Sequence, residues 1–296
     1  MNYKRLIKNK EVRFLILHYL RVIPDKWMLK FQYKIKLGRK LNLDNPMRYS
    51  EKLQWYKINY RNPLLTTCAD KLKVRDFINS KGLGDILTKL YAVYEINADF
   101  DINQLPEKFV IKTTNGSGTN IICKNKNEID IDNVKKDLKK WMKRDNFAVG
   151  REWSYKYITP KVIFEEYLED LENKYSGIND YKFICFKGKV HYIVFDVDRF
   201  VEHKRNIYDV NWNLIDVKTD CGNIEGGIDK PTGLQEMIDI ASALSKDFPS
   251  VRVDLYWVNG KVYFGEMTFY PWTGYVNFSP DEFDFTLGAN FPLIRY

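Results

Sequence analysis

Two carboxylates near the C-terminus of this 296-residue chain lie in unusually apolar surroundings. Asp254 interrupts the run VRVDLYWV and Glu266 interrupts VYFGEMTF, and the two runs are separated by a short turn that predicts a β-hairpin. Burying a bare carboxylate is costly, and two that face each other repel unless they share a proton or a divalent cation. The pair is therefore a candidate metal site.

Whether the two acids share one face of the hairpin depends on the length of its turn. A two-residue turn, Asn259-Gly260, would send Asp254 and Glu266 to opposite faces. A three-residue turn, with Gly260 in the left-handed region, would pair the two acids on one face. We predict the three-residue turn, and the alternative is an exposed hairpin with two ordinary surface acids.

Other segments could hold a nucleotide, although each signal is weak alone. Lys71 opens a predicted helix, and Lys112 ends a strand that precedes the glycine loop at 114–119. Glycines allow backbone N–H groups to turn toward an anion. Glu165 and Glu166 follow a further apolar strand, whose end could present backbone groups to an adenine edge. The alternatives are solvated lysines, an ordinary hairpin tip and a charged turn.

The elements that would position these residues predict an α+β protein with antiparallel sheets. FVIK and NIICK flank the glycine loop, and DYKFICF and VHYIVFDV predict a second hairpin. Helical periodicity predicts helices over 132–143 and 234–246. Neither the G-x-G-x-x-G pattern nor the P-loop pattern is present.

Charge is concentrated at the N-terminus. Residues 1–61 hold 16 Lys and Arg against 4 Asp and Glu, whereas the rest of the chain holds 31 against 35. Such a segment suits an anionic membrane surface or a polyanionic substrate, and we expect no nucleic-acid partner because no recognition motif accompanies it. The 4 cysteines and 3 histidines form no ligand pattern, which predicts free thiols in a cytoplasmic protein without a zinc site.

Residues 12–23 carry apolar side chains at helical spacing between basic flanks. The stretch is too short to span a membrane and lacks the features of a signal peptide. The pattern is typical both of a helix packed on the protein body and of one lying on a membrane surface. Peripheral membrane contact through residues 1–40, at the inner face of the membrane, is therefore kept as an alternative to packing.

The order of these segments resembles the ATP-grasp superfamily, and from about Gly38 onward the chain resembles its TupA-like branch. The most specific stretches are ADKLKVRDFI, FVIKTTNGSGTNIICK, GREWSYK, VIFEEYLED, DYKFICF, DRFVEHKRNIYD and RVDLYWVNGKVYFGEMTF. The resemblance implies the ATP-grasp fold, in which two antiparallel α+β lobes hold the nucleotide between them. It implies a basic helical segment at 1–65, a small lobe at 66–165 and a large lobe with the metal site at 166–296.

The same resemblance implies ATP and Mg²⁺ as cofactors and assigns residues to them. The residues implied to bind the nucleotide are Lys71, Lys112, Asn115, Gly116, Ser117, Gly118, Glu165, Glu166, Leu168, Asp180 and Lys182. Asp254, Glu266 and Thr268 would hold magnesium, although Thr268 stands where the family commonly has Asn, a better ligand. Arg252 would steady the transferring phosphoryl group.

The reaction implied by the resemblance is carboxylate–amine ligation. A carboxylate attacks the γ-phosphate of ATP, and an amine then displaces phosphate from the acyl phosphate. Arg199 and Arg205 would bind the substrate carboxylate or the acyl phosphate, and the alternative is a solvated charged loop. TupA-like proteins are associated with cell-surface polymers such as teichuronopeptide, capsule and exopolysaccharide, which implies a small-molecule or glycan acid, such as a uronic acid, and an amine. A glycosyltransferase and a sugar-kinase-like ATP-binding protein are the alternatives.

Overall fold

The computed structural model describes residues 9–95, 98–171, 175, 177–198 and 202–296. Its strands are Leu90–Tyr94 (β1), Phe109–Thr113 (β2), Asn120–Cys123 (β3), Val162–Glu166 (β4), Asp180–Phe186 (β5), Lys189–Val197 (β6), Lys204–Tyr208 (β7), Leu214–Ile215 (β8), Val251–Val258 (β9) and Lys261–Thr268 (β10). They form two antiparallel sheets, with strand orders β1-β4-β2-β3 and β10-β9-β5-β6-β7-β8.

Helices pack against both sheets. They are Lys10–Tyr19 (α1), Asp25–Leu37 (α2), Tyr49–Asn59 (α3), Leu64–Ala69 (α4), Val74–Ser80 (α5), Ile131–Met142 (α6), Asn146–Gly150 (α7), Leu234–Ser245 (α8) and Glu282–Asn290 (α9). Helices α6 and α8 lie within one residue of the predicted ranges, because both carry a clear apolar stripe. Short 3₁₀ turns occur at Leu20–Val22, Gly84–Ile86, Trp153–Tyr155 and Pro271–Gly274.

Each sheet has its own hydrophobic core. In the four-stranded sheet, Phe109 and Phe164 pack with Leu138 of α6. The core of the six-stranded sheet takes in α8 and, from much earlier in the chain, side chains of α3, α4 and α5 such as Leu53 and Ile78. Helices that precede the first sheet in sequence thus pack with the second sheet. The lobe boundaries inferred from the sequence stay a prediction.

A buried arginine links α1 and the start of α2 to the rest of the protein by hydrogen bonds. Arg151 is 1% exposed, and it donates hydrogen bonds to the carbonyl oxygens of Leu20 (2.7 Å) and Arg21 (3.1 Å) and to Asp25 (3.2 Å). The helix predicted from the 12–23 pattern is present as α1 and the 3₁₀ turn that follows it. Among the described residues, no helix has both the length and the apolar character needed to cross a bilayer.

Candidate active site

The β9–β10 hairpin brings its two acids together by an unexpected route. Its turn is the two-residue Asn259-Gly260 turn, with φ values of 50° and 77°, so the prediction of a three-residue turn was wrong although Gly260 is left-handed as predicted. A bulge at Gly265 places one extra residue in β10, and beyond it Glu266 pairs with Asp254. The predicted pairing of the acids is therefore confirmed, since the bulge restores the register that the turn alone would lose.

Oxygen atoms from three β9 and β10 side chains converge on the guanidinium group of Arg252. Its Nη2 lies 2.7 Å from Asp254 Oδ2 and 3.3 Å from both Glu266 Oε1 and Thr268 Oγ1. Two carboxylates and a hydroxyl that meet at one cation fit magnesium, which commonly takes one or two protein carboxylates together with phosphate and water oxygens. In the described part of the chain, no group of three or more His, Cys, Asp or Glu side chains is arranged to hold a metal.

The charged forms of Arg252 and Glu266 are stabilised by neighbouring groups of opposite charge. Burial would lower the pKa of Arg252, but Asp254 and Glu266 raise it above its usual value. Burial would also raise the pKa of Glu266, but the charges of Lys71, Arg252 and Lys182 lower it to about 2. For Asp254, burial prevails and raises the pKa against the opposing effect of Arg252 and Lys182. The two acids therefore differ in electrostatic environment although they are paired neighbours.

Lys182 lies between Asp254, a predicted metal ligand, and Asp180, the acid predicted to bind ribose. It is 4% exposed, and its Nζ lies 2.8 Å from Asp180, 3.5 Å from Asp254 and 3.7 Å from Asp196. The sheet register explains this cluster, because Lys182 pairs with Asp254 across β5 and β9, and Asp180 pairs with Asp196 across β5 and β6. One buried lysine thus holds three carboxylates that would otherwise repel one another.

Two further lysines approach from the region of the first sheet. Lys112 Nζ lies 2.7 Å from Glu165, which also accepts a hydrogen bond from Arg75 at 3.2 Å. Lys71 donates to the carbonyl oxygen of Gly116 in the glycine loop, and burial lowers the pKa of Lys71. Lys71 lies in the turn before α5, so the prediction that it opens the helix was wrong.

The glycine loop contacts Lys71 through the carbonyl oxygen of Gly116. Gly116 and Gly118 have left-handed φ values of 91° and 66°. Asn115 is buried and its carbonyl accepts a hydrogen bond from Asn146 at 3.2 Å, whereas Ser117 and Gly118 form the exposed tip. A Cβ atom on Gly116 would lie 2.8 Å from the Asn146 side chain, so the close approach at this position also requires glycine.

Seven of the predicted residues line one crevice between the sheets. It consists of a cavity of about 250 Å³ and a smaller one of about 20 Å³, which share Lys112 and Phe264 in their linings. The predicted residues in the two linings are Lys71, Lys112, Glu165, Glu166, Leu168, Asp180 and Glu266. Lys182 contacts the lining residue Asp180, and Arg252 and Thr268 contact the lining residue Glu266. Asp254 is joined to them through Arg252 and Lys182.

The two arginines proposed for the acid substrate differ in what the structure shows. Arg205 is 7% exposed and donates to Asp196 at 2.6 Å and to Asp220 at 2.8 Å, so it is part of the buried network rather than a solvated loop. Through Asp196 it is one ion pair away from Lys182. Arg199 lies outside the described residues.

Sequence reasoning missed several residues at this site. Tyr155 lines the smaller cavity and Tyr256 the larger. Outside the two linings, Lys57 of α3 is 1% exposed and donates to the carbonyl oxygen of Thr273 at 2.9 Å. Burial lowers the pKa of Lys57 to about 7, against the opposing charge of Glu152. Tyr155 lies in the GREWSYK stretch, which was a usable signal, whereas no local pattern marks Lys57.

Two antiparallel sheets that share a crevice lined by lysines and acids are the arrangement expected of the ATP-grasp class of α+β protein. The sequence profile of the TupA-like ATP-grasp family matches residues 51–292, and the chain therefore belongs to that family. This confirms the resemblance stated above and the α+β fold that it implied. A comparison with curated proteins found no match.

Several solved structures are similar at low identity. The D-alanine–D-alanine ligase from Bacillus anthracis is 18% identical, with a TM-score of 0.43 over 68% of this chain and 57% of its own. The corresponding ligase from Helicobacter pylori gives 16% and 0.45 over 76% and 61%. The phosphoribosylamine–glycine ligase from Thermotoga maritima gives 12% and 0.40 over 69% and 48%. The chain thus spans less than two thirds of the length of each of these proteins. Their substrates are not assigned to this protein.

Proposed function

We propose that the protein is an ATP-dependent ligase that joins a carboxylate to an amine through an acyl phosphate. The observation that carries the proposal is the convergence of Asp254, Glu266 and Thr268 on one cation position, beside a crevice that Lys71 and Lys112 also line. Membership of an ATP-grasp family supports ATP as the nucleotide. The donor set supports magnesium as its counter-ion.

Each wall of the crevice would contact a different part of the nucleotide. Lys71 and Lys112 would bind the α- and β-phosphates, and the loop at 115–118 would close over them. The stretch 165–168 would bind adenine through its backbone, and Asp180 would bind the ribose. The cavity of about 250 Å³ supports this division, because it runs between the lining residues Lys112 and Asp180.

The residues around Arg252 would act on the transferring phosphoryl group. Bound magnesium would offset the charge that shifts between oxygen atoms during transfer, and Asp254, Glu266 and Thr268 would hold it. Arg252 would exchange its contact with Glu266 for a phosphate oxygen, since a guanidinium suits both partners. The glycine loop would exclude water, which would otherwise hydrolyse the acyl phosphate.

Arg205, together with Arg199, would bind the acid substrate. Of the two carboxylates paired with Arg205, Asp196 is buried whereas the Asp220 side chain is 68% exposed. A substrate carboxylate could therefore replace Asp220 without uncovering a buried charge. We propose a small-molecule or glycan acid of cell-surface polymer synthesis, such as a uronic acid, and an amino compound as the second substrate.

A product assay tests the reaction class. Release of both ADP and phosphate that requires an acid and an amine together would support the ligase. ADP without phosphate, accompanied by a phosphorylated sugar, would instead identify a kinase, and turnover of a sugar nucleotide without ATP would identify a glycosyltransferase. The matched control is the double variant D254N/E266Q, which should release no ADP if the activity belongs to this site.

A further inference from the structure

Helices α1 and α2 expose an apolar and aromatic surface that nothing else in the described chain covers. Large side chains on this surface have high exposed fractions: Leu15 55%, Tyr19 70%, Val22 84%, Trp27 69% and Phe31 59%. The opposite side of α2 is already used, because Met28, Leu29 and Tyr33 on it are buried. The exposed residues are therefore an outward face and not a core face that failed to pack.

Lysines accompany the aromatic residues on the outer side of α2. Trp27, Lys30, Phe31 and Lys34 follow the i, i+3, i+4, i+7 spacing that places them on one stripe. Long lysine side chains beside exposed aromatic rings are typical of helices that lie in a membrane interface. This stripe, with the exposed residues of α1 and Val22, is named the α1/α2 face below.

The acidic side chains of the same two helices point to the protein body. Glu11 accepts a hydrogen bond from Arg144 at 2.9 Å, and Asp25 accepts one from Arg151 at 3.2 Å. They are the only acids within 10–37. The charge presented outward by the α1/α2 face is therefore positive.

An apolar groove joins the two helices. It has a volume of about 220 Å³ and is lined from α1 by Ile16 and Leu17 and from α2 by Phe31 and Ile35. Because Ile16 and Phe31 line the same groove, the two exposed stripes form one continuous surface. A groove of this size and character suits hydrocarbon more than a polar ligand.

We propose that the α1/α2 face binds the surface of an anionic lipid bilayer. The aromatic and aliphatic side chains would enter the interfacial region, and Lys30 and Lys34 would contact lipid headgroups. A second copy of the chain is a poorer partner, since a twofold contact through this stripe would bring like-charged lysines together. This inference goes beyond the proposed ligase activity and does not depend on it.

Vesicle flotation of the full chain tests the proposal. We expect binding to phosphatidylcholine vesicles that contain phosphatidylglycerol, weaker binding at high salt, and little binding to phosphatidylcholine alone. The variant K30Q/K34Q should bind anionic vesicles roughly 25-fold more weakly, since each cation near such a surface contributes about fivefold. The variant W27S/F31S should lose binding at any salt concentration.

Controls distinguish lipid binding from unfolding and self-association. Leu214 is 51% exposed on β8, so L214S removes an exposed apolar side chain elsewhere and should bind vesicles like the unchanged protein. Thermal melting shows whether each variant is folded. Equal vesicle binding by W27S/F31S and the unchanged protein would overturn the proposal. So would a concentration-dependent dimer in sedimentation that W27S/F31S abolishes while neither protein binds vesicles.

Discussion

At the scale of single residues, the centre of the candidate site is a cation position already occupied by an arginine. Arg252 lies within 3.3 Å of Glu266 and Thr268 and makes two 2.7 Å contacts with Asp254. A buried ion pair stabilises the fold only while both partners stay charged, because removal of one leaves the other buried and unpaired. The site is therefore held together by the same charges that would bind a metal–phosphate complex.

The variant E266Q tests the role of this acid. Because the pKa of Glu266 is lowered to about 2, the carboxylate is ionised at any ordinary assay pH, and the amide removes a full charge. We expect ADP release to fall by about 100-fold or more, as for loss of part of a metal site worth several kcal/mol. The control is D281N, because the hydrogen bond from Arg48 likewise lowers the pKa of Asp281 to about 2, outside the crevice. Full turnover by E266Q would remove Glu266 from the proposed metal site.

Lys57 predicts a specific pH dependence of stability. Its pKa is lowered by burial from 10.5 to about 7, so between these values the unfolded chain binds more protons than the folded chain. The free energy of unfolding should therefore rise as the pH rises, by about 2 kcal/mol between pH 7 and pH 9 from this group. Urea denaturation at the two pH values, compared with K57M, measures the contribution. An identical pH slope in K57M would show that Lys57 is not the source.

At the scale of elements, the hairpin shows what sequence can and cannot determine. The helices α6 and α8 follow from their apolar stripes, and the family resemblance follows from the order of lysines, glycine loop and acids. The turn prediction failed because two local rules compete: the Asn259-Gly260 pair favours a two-residue turn, whereas the acids require one more residue. Gly265 supplies it, and glycine inside a strand was the available signal for a bulge. Contacts such as that of Lys57 with Thr273 join distant segments and have no local signature.

The bulge predicts different outcomes at two glycines of one hairpin. A Cβ atom at Gly265 would lie 2.9 Å from the carbonyl oxygen of Asp254, whereas one at Gly260 would meet nothing within 4 Å. We expect G265A to lose about 1–3 kcal/mol of stability and most turnover, because the backbone beside the acids must shift. G260A should lose about 1–2 kcal/mol through its φ of 77° while keeping turnover per folded molecule. Denaturation and ADP release measure both, and equal turnover by the two variants would contradict this account.

At the scale of the whole molecule, one short segment contacts both the N-terminal helices and the crevice. Arg151 holds the end of α1 and the start of α2, and Tyr155, four residues later, lines the smaller cavity. The α1/α2 face is thus not a detached appendage. Its attachment depends on a buried guanidinium with acceptors in the 3₁₀ turn after α1 and at the first residue of α2.

The variant R151M should loosen this attachment selectively. It leaves the carbonyl oxygens of Leu20 and Arg21 without their donor, and buried acceptors of this kind are costly to leave unpaired. We expect amide hydrogen exchange over 10–22 to become at least about tenfold faster, while exchange over 49–59 changes little. Hydrogen-exchange mass spectrometry measures both segments. A uniform increase across the chain would mean that Arg151 supports the whole fold.

The buried ion pairs also constrain the form in which a nucleotide can enter. Four acids line the crevice, Glu165, Glu166, Asp180 and Glu266, and they are as numerous as the lining cations Lys71, Arg75, Lys112 and Lys124. A bare polyphosphate would meet as much repulsion as attraction there. Chelating divalent ions should therefore weaken ATP binding itself and not only its turnover. ATP would then enter the crevice only as its complex with the metal ion.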